Sequence, residues 1–459
     1  MVVDGDAIKA CIGQRYRAQA HSCRIKSPSP GQRPPLHHSG WLCFCAGNML
    51  HHTSVTLWLL LATAWSVATA TLLSTEKARP SMSRRWLLGD DKIRGVNLGS
   101  LFIVEEWFAK DEWASMGCKG YYDEWSCIKA LGQTAADAAF DTHWKSWITK
   151  SDITKIASYG LNTIRIPVGF WIKEDLVQSG EYHPRGGLKY LDRVVGWASD
   201  AGLYVIIDLH GAPGSQSPNE EFTGHGTATP GFFTDANYER ANQFLEWMTE
   251  RIHTNNAYRT VGMIEVINEP IKRRVNATDA DDLLKRFYPA AWGRIRDRES
   301  KLGIASEDLL HIQYMGSNWG VGHPEMYLND TTYLYFDDHV YWKFDTRAGT
   351  NKTSYINATC HLYRPEANLV VGEFSLSVAS ALQNNDEFGI QGHPENVAWY
   401  ADYFAAQVSV YEKSGGWIFW NWKCNWINQF NDWRWCYKTA VEAGAIPKDA
   451  SKAASLSPC

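Results

Sequence analysis

The stretch VGMIEVINEP at residues 261–270 decides the fold of this 459-residue chain. It begins as an apolar run rich in β-branched residues, which predicts a buried strand. Asn268 and Glu269 come at its carboxyl end, and Pro270 ends the strand because proline cannot donate to a central sheet ladder. A carboxyl group there is partly removed from water, which raises its pKa and suits a general acid. The alternative is that Glu269 merely faces water where the strand ends.

A second stretch, NLVVGEFS at residues 368–375, repeats this design and ends in Glu373. Two strand-end glutamates far apart in sequence are typical of glycoside hydrolysis, in which one is the acid and the other the nucleophile or base. Between them, DDHVYW at residues 337–342 predicts another strand end. His339 and Tyr341 share one face of that strand, where they can bond the nucleophile or a sugar hydroxyl.

These motifs resemble those of glycoside hydrolase family 5, a group of retaining enzymes with a (β/α)8 barrel. The resemblance covers roughly residues 94–435. It rests on seven motifs in the family's order: GVNLG at 95–99, RIP at 165–167, DLHG at 208–211, NEP at 268–270, HVY at 339–341, GEF at 372–374 and WIFWNWK at 417–423.

The alternation of strands and helices independently predicts a single (β/α)8 TIM barrel. Eight predicted strands are separated by helical stretches such as residues 135–158, 188–201 and 237–253, without repeats or low-complexity linkers. Each candidate polar residue lies at the carboxyl end of a predicted strand, which is where barrel enzymes place their chemistry.

The resemblance implies a role for each residue of the central motifs. Glu269 is expected to be the acid/base and Glu373 the nucleophile, while Asn268 holds the sugar 2-hydroxyl. Tyr341 is expected to donate to Glu373, and His339 to position the same carboxylate or the sugar.

Arg165 lies in an apolar strand, where an unpaired charge is costly. It either forms a structural salt bridge or pairs with Glu373 and keeps that carboxylate ionised; the resemblance favours the second role. Since the Glu269 motif contains no comparable cation, we expect the higher pKa at Glu269.

Three further residues are expected to bind substrate. His210 should bind a hydroxyl in the first subsite, and Trp420 offers a stacking face. In the resembling exo-glucanases a glutamate at the position of Glu105 grips the terminal sugar. Its neighbour there is usually proline, and Glu106 in this chain argues against an exo-type pocket. No metal or organic cofactor is expected.

The first 70 residues differ from the rest of the chain. Residues 1–48 carry a net charge of +4 and four prolines between positions 28 and 35, which predicts a disordered extension or an over-long gene model. Residues 49–70 contain a short apolar run that ends in small residues, which predicts a signal peptide cleaved after Ala70. A signal-anchor is the alternative. Residues 71–459 form the predicted catalytic domain.

Removal of that +4 from the formal charge of −5 leaves −9 for the predicted mature protein. An acidic surface argues against nucleic acids and anionic membranes as partners. It is compatible with a neutral β-glucan polysaccharide or oligosaccharide, and with 22 tryptophans some are expected to line a sugar-binding groove. We expect a monomer without a stable membrane partner.

Six cysteines follow residue 70, an even number that predicts three disulfides in a secreted chain, with fifteen possible connectivities. The short loops favour Cys118–Cys127 and Cys424–Cys436, which leaves Cys360 with Cys459. Glycosylation sequons at Asn276, Asn329, Asn351 and Asn357 are also typical of an exported protein.

Segments such as GVNLGS at 95–100, WASMGC at 113–118 and FLEWMT at 244–249 resemble endo-β-1,6-glucanases of fungi more than exo-β-1,3-glucanases. The predicted function is therefore a secreted, retaining endo-β-1,6-glucanase that acts by double displacement with two glutamates. An exo-β-1,3-glucanase is one alternative, and a transglycosylase is another. A catalytically silent glucan-binding protein is a third, against which the intact Glu269 and Glu373 argue.

Overall fold

A computed structural model describes residues 91–364, 366–425 and 432–459 of the chain. The predicted extension at residues 1–48 and the predicted signal peptide at residues 49–70 lie outside the described residues. Among the described residues, no helix is both long enough and apolar enough to cross a membrane.

Eight parallel strands close into a barrel in which each strand pairs with the next along the chain and the last pairs with the first. This confirms the predicted single (β/α)8 barrel. The strands are β1 Ile93–Asn97, β2 Thr163–Gly169, β3 Tyr204–Gly211, β4 Val261–Glu265, β5 His311–Met315, β6 Leu334–Val340, β7 Leu369–Phe374 and β8 Gly416–Phe419.

The helices surround this barrel and bury their apolar faces against it. Those of the described residues are α1 Lys110–Ser115, α2 Glu124–Leu131, α3 Gln133–Ser146, α4 Lys150–Ser158, α5 Leu188–Asp200, α6 Asp235–Thr254, α7 Ala277–Asp282, α8 Tyr288–Lys301, α9 Lys352–Cys360, α10 Asn396–Tyr411 and α11 Tyr437–Ala443.

Two apolar clusters fill the molecule on either side of the strands. The larger cluster packs between strands and helices and includes Val205, Ile207 and Leu209 of β3. The smaller one contains Tyr204 and Ile206, which alternate with them along the same strand and therefore point into the barrel. Toward the carboxyl ends of the strands, the side chains on this interior face are charged instead of apolar. The site lies at that end of the barrel.

Two predicted elements are shorter than expected. The strand predicted to run up to Pro270 ends at Glu265, so Asn268 and Glu269 lie in the loop beyond it. The single helical stretch predicted at residues 135–158 is two helices, α3 and α4. Thr149 begins the second helix because its side chain and that of Asp152 cap each other's backbone N–H groups.

Three disulfides tie the chain with the favoured connectivity, which confirms that prediction. Cys118–Cys127 and Cys424–Cys436 close short loops, and Cys360–Cys459 joins α9 to the last residue of the chain.

Candidate active site

A cleft of about 960 Å³ opens at the carboxyl ends of the strands. Of the nine residues predicted for the site, eight line this cleft, and Arg165 lies buried beneath it. The eight are Glu105, His210, Asn268, Glu269, His339, Tyr341, Glu373 and Trp420.

Arg165 forms the floor of the site and is completely buried. Its guanidinium donates to Glu373 at 3.0 Å, to Glu265 at 2.7 Å and to the side-chain oxygen of Asn268 at 2.8 Å. It also lies 3.0 Å from a carboxylate oxygen of Asp208. Burial opposes its charge, but the surrounding carboxylates, Asp208 foremost, raise its pKa well above the usual value. Arg165 therefore stays a cation that orients the side chains above it.

Glu373 lies within β7, beside His339 of β6 in the strand register. One carboxylate oxygen accepts from Arg165 at 3.0 Å, and the other accepts from the Tyr341 hydroxyl at 2.7 Å. Burial raises the pKa of Tyr341 well above its usual value, and the charge of Glu373 raises it further. The tyrosine is therefore a neutral donor, and these two bonds fix both oxygens of Glu373.

Glu269 is held differently, because it lies four residues beyond the end of β4. Its backbone adopts a left-handed conformation with φ of 38°, which is costly for a residue other than glycine and is found mainly at functional sites. Its carboxylate accepts from Nδ1 of His339 at 2.5 Å. Its side chain is 18% exposed, against 7% for Glu373, so Glu269 is the more accessible of the two carboxylates.

His339 connects the two glutamates. Its Nδ1 lies 2.5 Å from Glu269 and 3.4 Å from Glu373, while Nε2 lies 3.5 Å from the buried carboxylate of Asp337. Burial opposes a charge on the imidazole, but Glu373 and Asp337 raise its pKa well above the usual value. His339 is therefore a cation in this arrangement.

The expectation that Glu269 has the higher pKa is wrong for this arrangement. Burial is the largest single influence and raises the pKa of Glu269, but the hydrogen bond and charge of His339, with the charges of Lys272 and His210, together outweigh it and the net shift is downward. Burial also raises the pKa of Glu373, and His339 and Arg165 only partly offset that effect, so the net shift is upward. The sequence-based argument omitted the charge of His339, which lies closer to Glu269.

One wall of the cleft comes from the loops after β1, β3 and β8. Glu105 is buried there and accepts from the Trp107 indole at 3.0 Å, and burial raises its pKa well above the usual value. Glu106 does not line the cleft; its backbone N–H instead donates to Glu221.

On the same wall, Nδ1 of His210 donates to the carboxylate of Asp208 at 2.7 Å, and the imidazole lies parallel to the Trp420 ring with 5.8 Å between ring centres. A side chain at Gly99 would meet the Trp420 ring at 2.9 Å, so the glycine of the first motif makes room for this tryptophan.

The opposite wall comes from the loops after β4, β5 and β6, and beyond Asn268, Glu269 and Tyr341 its residues were not predicted. Trp319 donates to the carbonyl oxygen of Pro270, and the ammonium of Lys272 lies 3.4 Å from the centre of the Trp319 ring. Phe344 is 73% exposed at the rim and meets the Tyr341 ring edge-on. An aromatic residue just beyond a predicted strand could have indicated these positions. The sequence does not show, however, which loops come together in the fold.

The sequence also missed most of the floor. Glu265, Asp208 and Asp337 surround Arg165, and Gln216 bonds the carbonyl oxygens of His210 and Asn268. Glu265 and Asp208 lie in the strand motifs at residues 261–270 and 208–211. A carboxylate inside an apolar strand could therefore have indicated them.

The donor atoms of Glu269, His339 and Glu373 lie within 4.8 Å of one another, close enough to hold a metal ion. They already bond to each other, to Arg165 and to Tyr341. A separation below 4.8 Å between one oxygen of each carboxylate is compatible with the ~5–5.5 Å that retaining glycosidases use.

Together the barrel, the two strand-end glutamates and the cleft define a glycoside hydrolase. The chain matches the family model "Cellulase (glycosyl hydrolase family 5)" over residues 128–425 and belongs to that family.

Relatives of this chain include several fungal proteins. "Glucan endo-1,6-beta-glucosidase B" of Emericella nidulans is 50% identical over 379 residues, covering 82% of this chain and 90% of the relative. "Probable glucan endo-1,6-beta-glucosidase B" of Aspergillus terreus is 44% identical over 411 residues, covering 89% and 99%. "Glucan 1,3-beta-glucosidase" of Blumeria graminis is more distant, at 28% over 402 residues, covering 78% and 87%.

Among solved structures, the rutinosidase from Aspergillus niger superposes with a TM-score of 0.61 at 20% identity, covering 79% of this chain and 99% of that one. This likeness shows the shared fold.

Proposed function

We propose that this chain is a secreted, retaining endo-β-1,6-glucanase that cleaves β-glucan by double displacement. The proposed chemistry rests on one observation. Glu269 and Glu373 both lie beside the imidazole of His339, and ligand atoms of the three residues lie within 4.8 Å of one another. The bond specificity rests on the name of the Emericella nidulans relative, which shares half of its residues over most of both chains.

In the first step Glu373 attacks the anomeric carbon while the glycosidic oxygen leaves. Arg165 and Tyr341 hold both carboxylate oxygens of Glu373, which fixes the direction of attack. The proton for the leaving oxygen comes through Glu269. Because the His339 cation bonds Glu269 at 2.5 Å, the two groups act as one proton-sharing pair, whose apparent pKa values belong to the pair.

In the second step Glu269 accepts a proton from water, and the resulting hydroxide displaces Glu373 from the sugar. Glu373 regains its negative charge, which again favours the cationic form of His339. The imidazole therefore returns to its starting state, and the cycle consumes one water molecule.

Three residues are proposed to hold the sugar beside this pair. Asn268 accepts from Arg165 through its side-chain oxygen, so its amide N–H groups remain for the 2-hydroxyl. His210 is proposed to bind another hydroxyl, and Trp420 to contact the ring face. Glu105, bonded to Trp107, is proposed to bind sugar hydroxyls further along the same wall.

Endo action is favoured by the shape of the cleft. The 960 Å³ space is lined by Trp107 and Trp435 on one wall and by Trp319 and Phe344 on the other. A glucan chain is therefore proposed to lie across the carboxylates. Export after cleavage near Ala70 and a monomeric state complete the proposal, and the three disulfides support an oxidising compartment.

Product analysis tests the proposal. The purified enzyme is incubated with pustulan (β-1,6), laminarin (β-1,3) and cellulose (β-1,4), and early products are separated by length. A ladder of β-1,6 oligosaccharides from pustulan is expected, with little release from the other two. Glucose alone from laminarin would instead identify an exo-β-1,3-glucanase, and binding without any release would identify a silent glucan-binding protein.

A further inference from the structure

A second pocket of about 260 Å³ shares a loop with the catalytic cleft. Residues 212–231, between β3 and α6, contribute Glu220 and Phe222 to the cleft and Ser215, His225 and Thr227 to the second pocket. We call this second space the loop pocket. It is distinct from the cleft, because the lining residues of the two do not overlap.

Aromatic and imidazole rings build the loop pocket. The ring of His225 stacks on Trp125 of α2 with 3.9 Å between centres, and His183 stacks on Trp171 at 4.2 Å. The loop closes on itself through a hydrogen bond from the Gly231 N–H to the carbonyl oxygen of Gly214. The pocket is therefore walled by packed groups of three separate segments.

Both imidazoles lack hydrogen-bond partners for their ring nitrogens within the described part of the chain. His183 is 4% exposed, and its Nδ1 is fully buried without a partner. Burial lowers the pKa of both His183 and His225, so both rings are neutral and each offers one donor and one acceptor. The Nδ1 atom of His183 is closed to solvent, so a ligand in the pocket would bond the partly exposed ring of His225.

The charges of the pocket exclude several ligand classes. Glu181 is neutralised by Arg240, whose guanidinium donates to it at 2.9 Å. An anion therefore meets no unpaired cation. The ligand atoms of Glu181, His183 and His225 do not converge within the distance that a metal ion requires, since the described residues bring only Glu269, His339 and Glu373 together in that way.

What remains is a small neutral molecule rich in hydroxyl groups. Thr227 and Thr229 add hydroxyls beside the imidazole of His225, whereas the hydroxyl of Ser215 is buried and bonds Ser217 and Thr223. The volume lies just below the ~300 Å³ at which sites for drug-sized ligands begin, which suits one sugar ring. Thr229 is exposed and Thr227 and His225 are partly exposed, so the pocket is open to solvent.

We propose that the loop pocket binds a single glucosyl unit, separately from the catalytic cleft. The choice of glucose as the ligand rests on the proposed function, whereas the existence of the pocket is independent of that function. The unit comes either from free glucose or from the end of a glucan chain.

Calorimetric titration of glucose tests the proposal on the full enzyme carrying Glu373→Gln, which prevents turnover. Adding His225→Ala should weaken one class of glucose site by about tenfold or more, since the ring and its nitrogens are lost. The matched control is His323→Ala, an exposed histidine outside both spaces, which should leave binding unchanged. Thr227→Val, a nearly isosteric change, should weaken the same site and guards against misfolding of the first variant.

Unchanged glucose binding in both His225→Ala and Thr227→Val would overturn the proposal. Saturable binding of zinc or inorganic phosphate that His225→Ala abolishes, in an enzyme that does not bind glucose, would also overturn it.

Retention on a pustulan column identifies the source of the glucosyl unit. Retention that falls with His225→Ala indicates the end of a glucan chain, and unchanged retention indicates free glucose. In the active enzyme, His225→Ala should change the rate of pustulan hydrolysis by no more than about twofold. If the unmodified enzyme did not hydrolyse pustulan, the proposed function would be wrong, but the result of the glucose titration would still stand.

Discussion

Glu373 and Glu269 share one imidazole, but the barrel holds them in different ways. Glu373 belongs to a strand and has both oxygens fixed by Arg165 and Tyr341. Glu269 lies in a loop with a left-handed backbone, is more exposed and depends on His339. The difference suits the proposed roles, because a nucleophile needs a fixed direction, whereas an acid/base needs access to a proton and to water.

The largest expected effect is on kcat, and its dependence on the substrate's leaving group should distinguish Glu269 from Glu373. Glu373→Ala should lower kcat on every substrate by about 10⁴-fold or more, as removal of a nucleophile does elsewhere. Glu269→Ala should lower kcat on pustulan comparably but still release dinitrophenol from an aryl β-glucoside in a rapid burst, because that leaving group needs no proton. The burst is measured by stopped-flow absorbance. A burst from Glu373→Ala and none from Glu269→Ala would reverse the assignment.

The next effect tests the rigid support of Glu373. Arg165→Met leaves several buried carboxylates without their cation, so unfolding free energy should fall by about 3–5 kcal/mol. In enzyme that remains folded, kcat should fall by about 10²-fold or more, because a fixed donor to Glu373 is lost. Urea unfolding and steady-state kinetics measure the two.

Arg94→Met is the control for Arg165→Met. Arg94 lies near the start of β1, at the opposite end of the barrel from the cleft, and pairs with Glu412. The control should keep kcat nearly unchanged. An equal loss of kcat in the control would show that stability, rather than the contact to Glu373, explains the first result.

A smaller effect tests the coupling through His339. The His339 cation lowers the pKa of both Glu269 and Glu373, so His339→Gln should raise both values. The acid limb of the pH profile of kcat/KM reports ionisation of the nucleophile and the alkaline limb reports loss of the acid's proton. The acid limb should therefore move to higher pH, whereas the alkaline limb then reports Glu269 alone rather than the proton that it shares with His339. A profile that keeps its position would contradict a charged His339.

The smallest effect concerns the rim beyond Glu269 and Glu373. Phe344→Ala removes an exposed ring from the cleft, so KM for pustulan should rise by about 2–10-fold with little change in kcat. Tyr363→Ala, which removes a ring of similar exposure outside the cleft, should change neither constant. Equal kinetics for the two variants would show that glucan does not contact this rim.

The sequence predicted the barrel well because strand-end motifs and helical periodicity are local signals. It located Glu269, Glu373, His339 and Tyr341 for the same reason. It did not predict that β4 ends at Glu265, since Val266 and Ile267 continue the apolar run and only the neighbouring strands decide where pairing stops.

The order of the two pKa values was wrong for a related reason. It depends on the charge of His339, which in turn depends on Asp337 and Glu373 in adjacent strands. Lys272 and Trp319 were missed because they meet only when the loops after β4 and β5 converge. Long-range register, rather than local pattern, sets each of these features.

The most direct test of the central claim is the configuration of the azide products. Glu269→Ala and Glu373→Ala are each incubated with an activated β-glucoside and sodium azide, and the glycosyl azides are identified by proton NMR. Azide needs no general base, so Glu269→Ala should give the β-azide from the glycosyl-enzyme, and Glu373→Ala should give the α-azide by direct displacement. The opposite pairing would reverse the roles of the two glutamates, and near-normal activity of both variants would contradict the catalytic site itself.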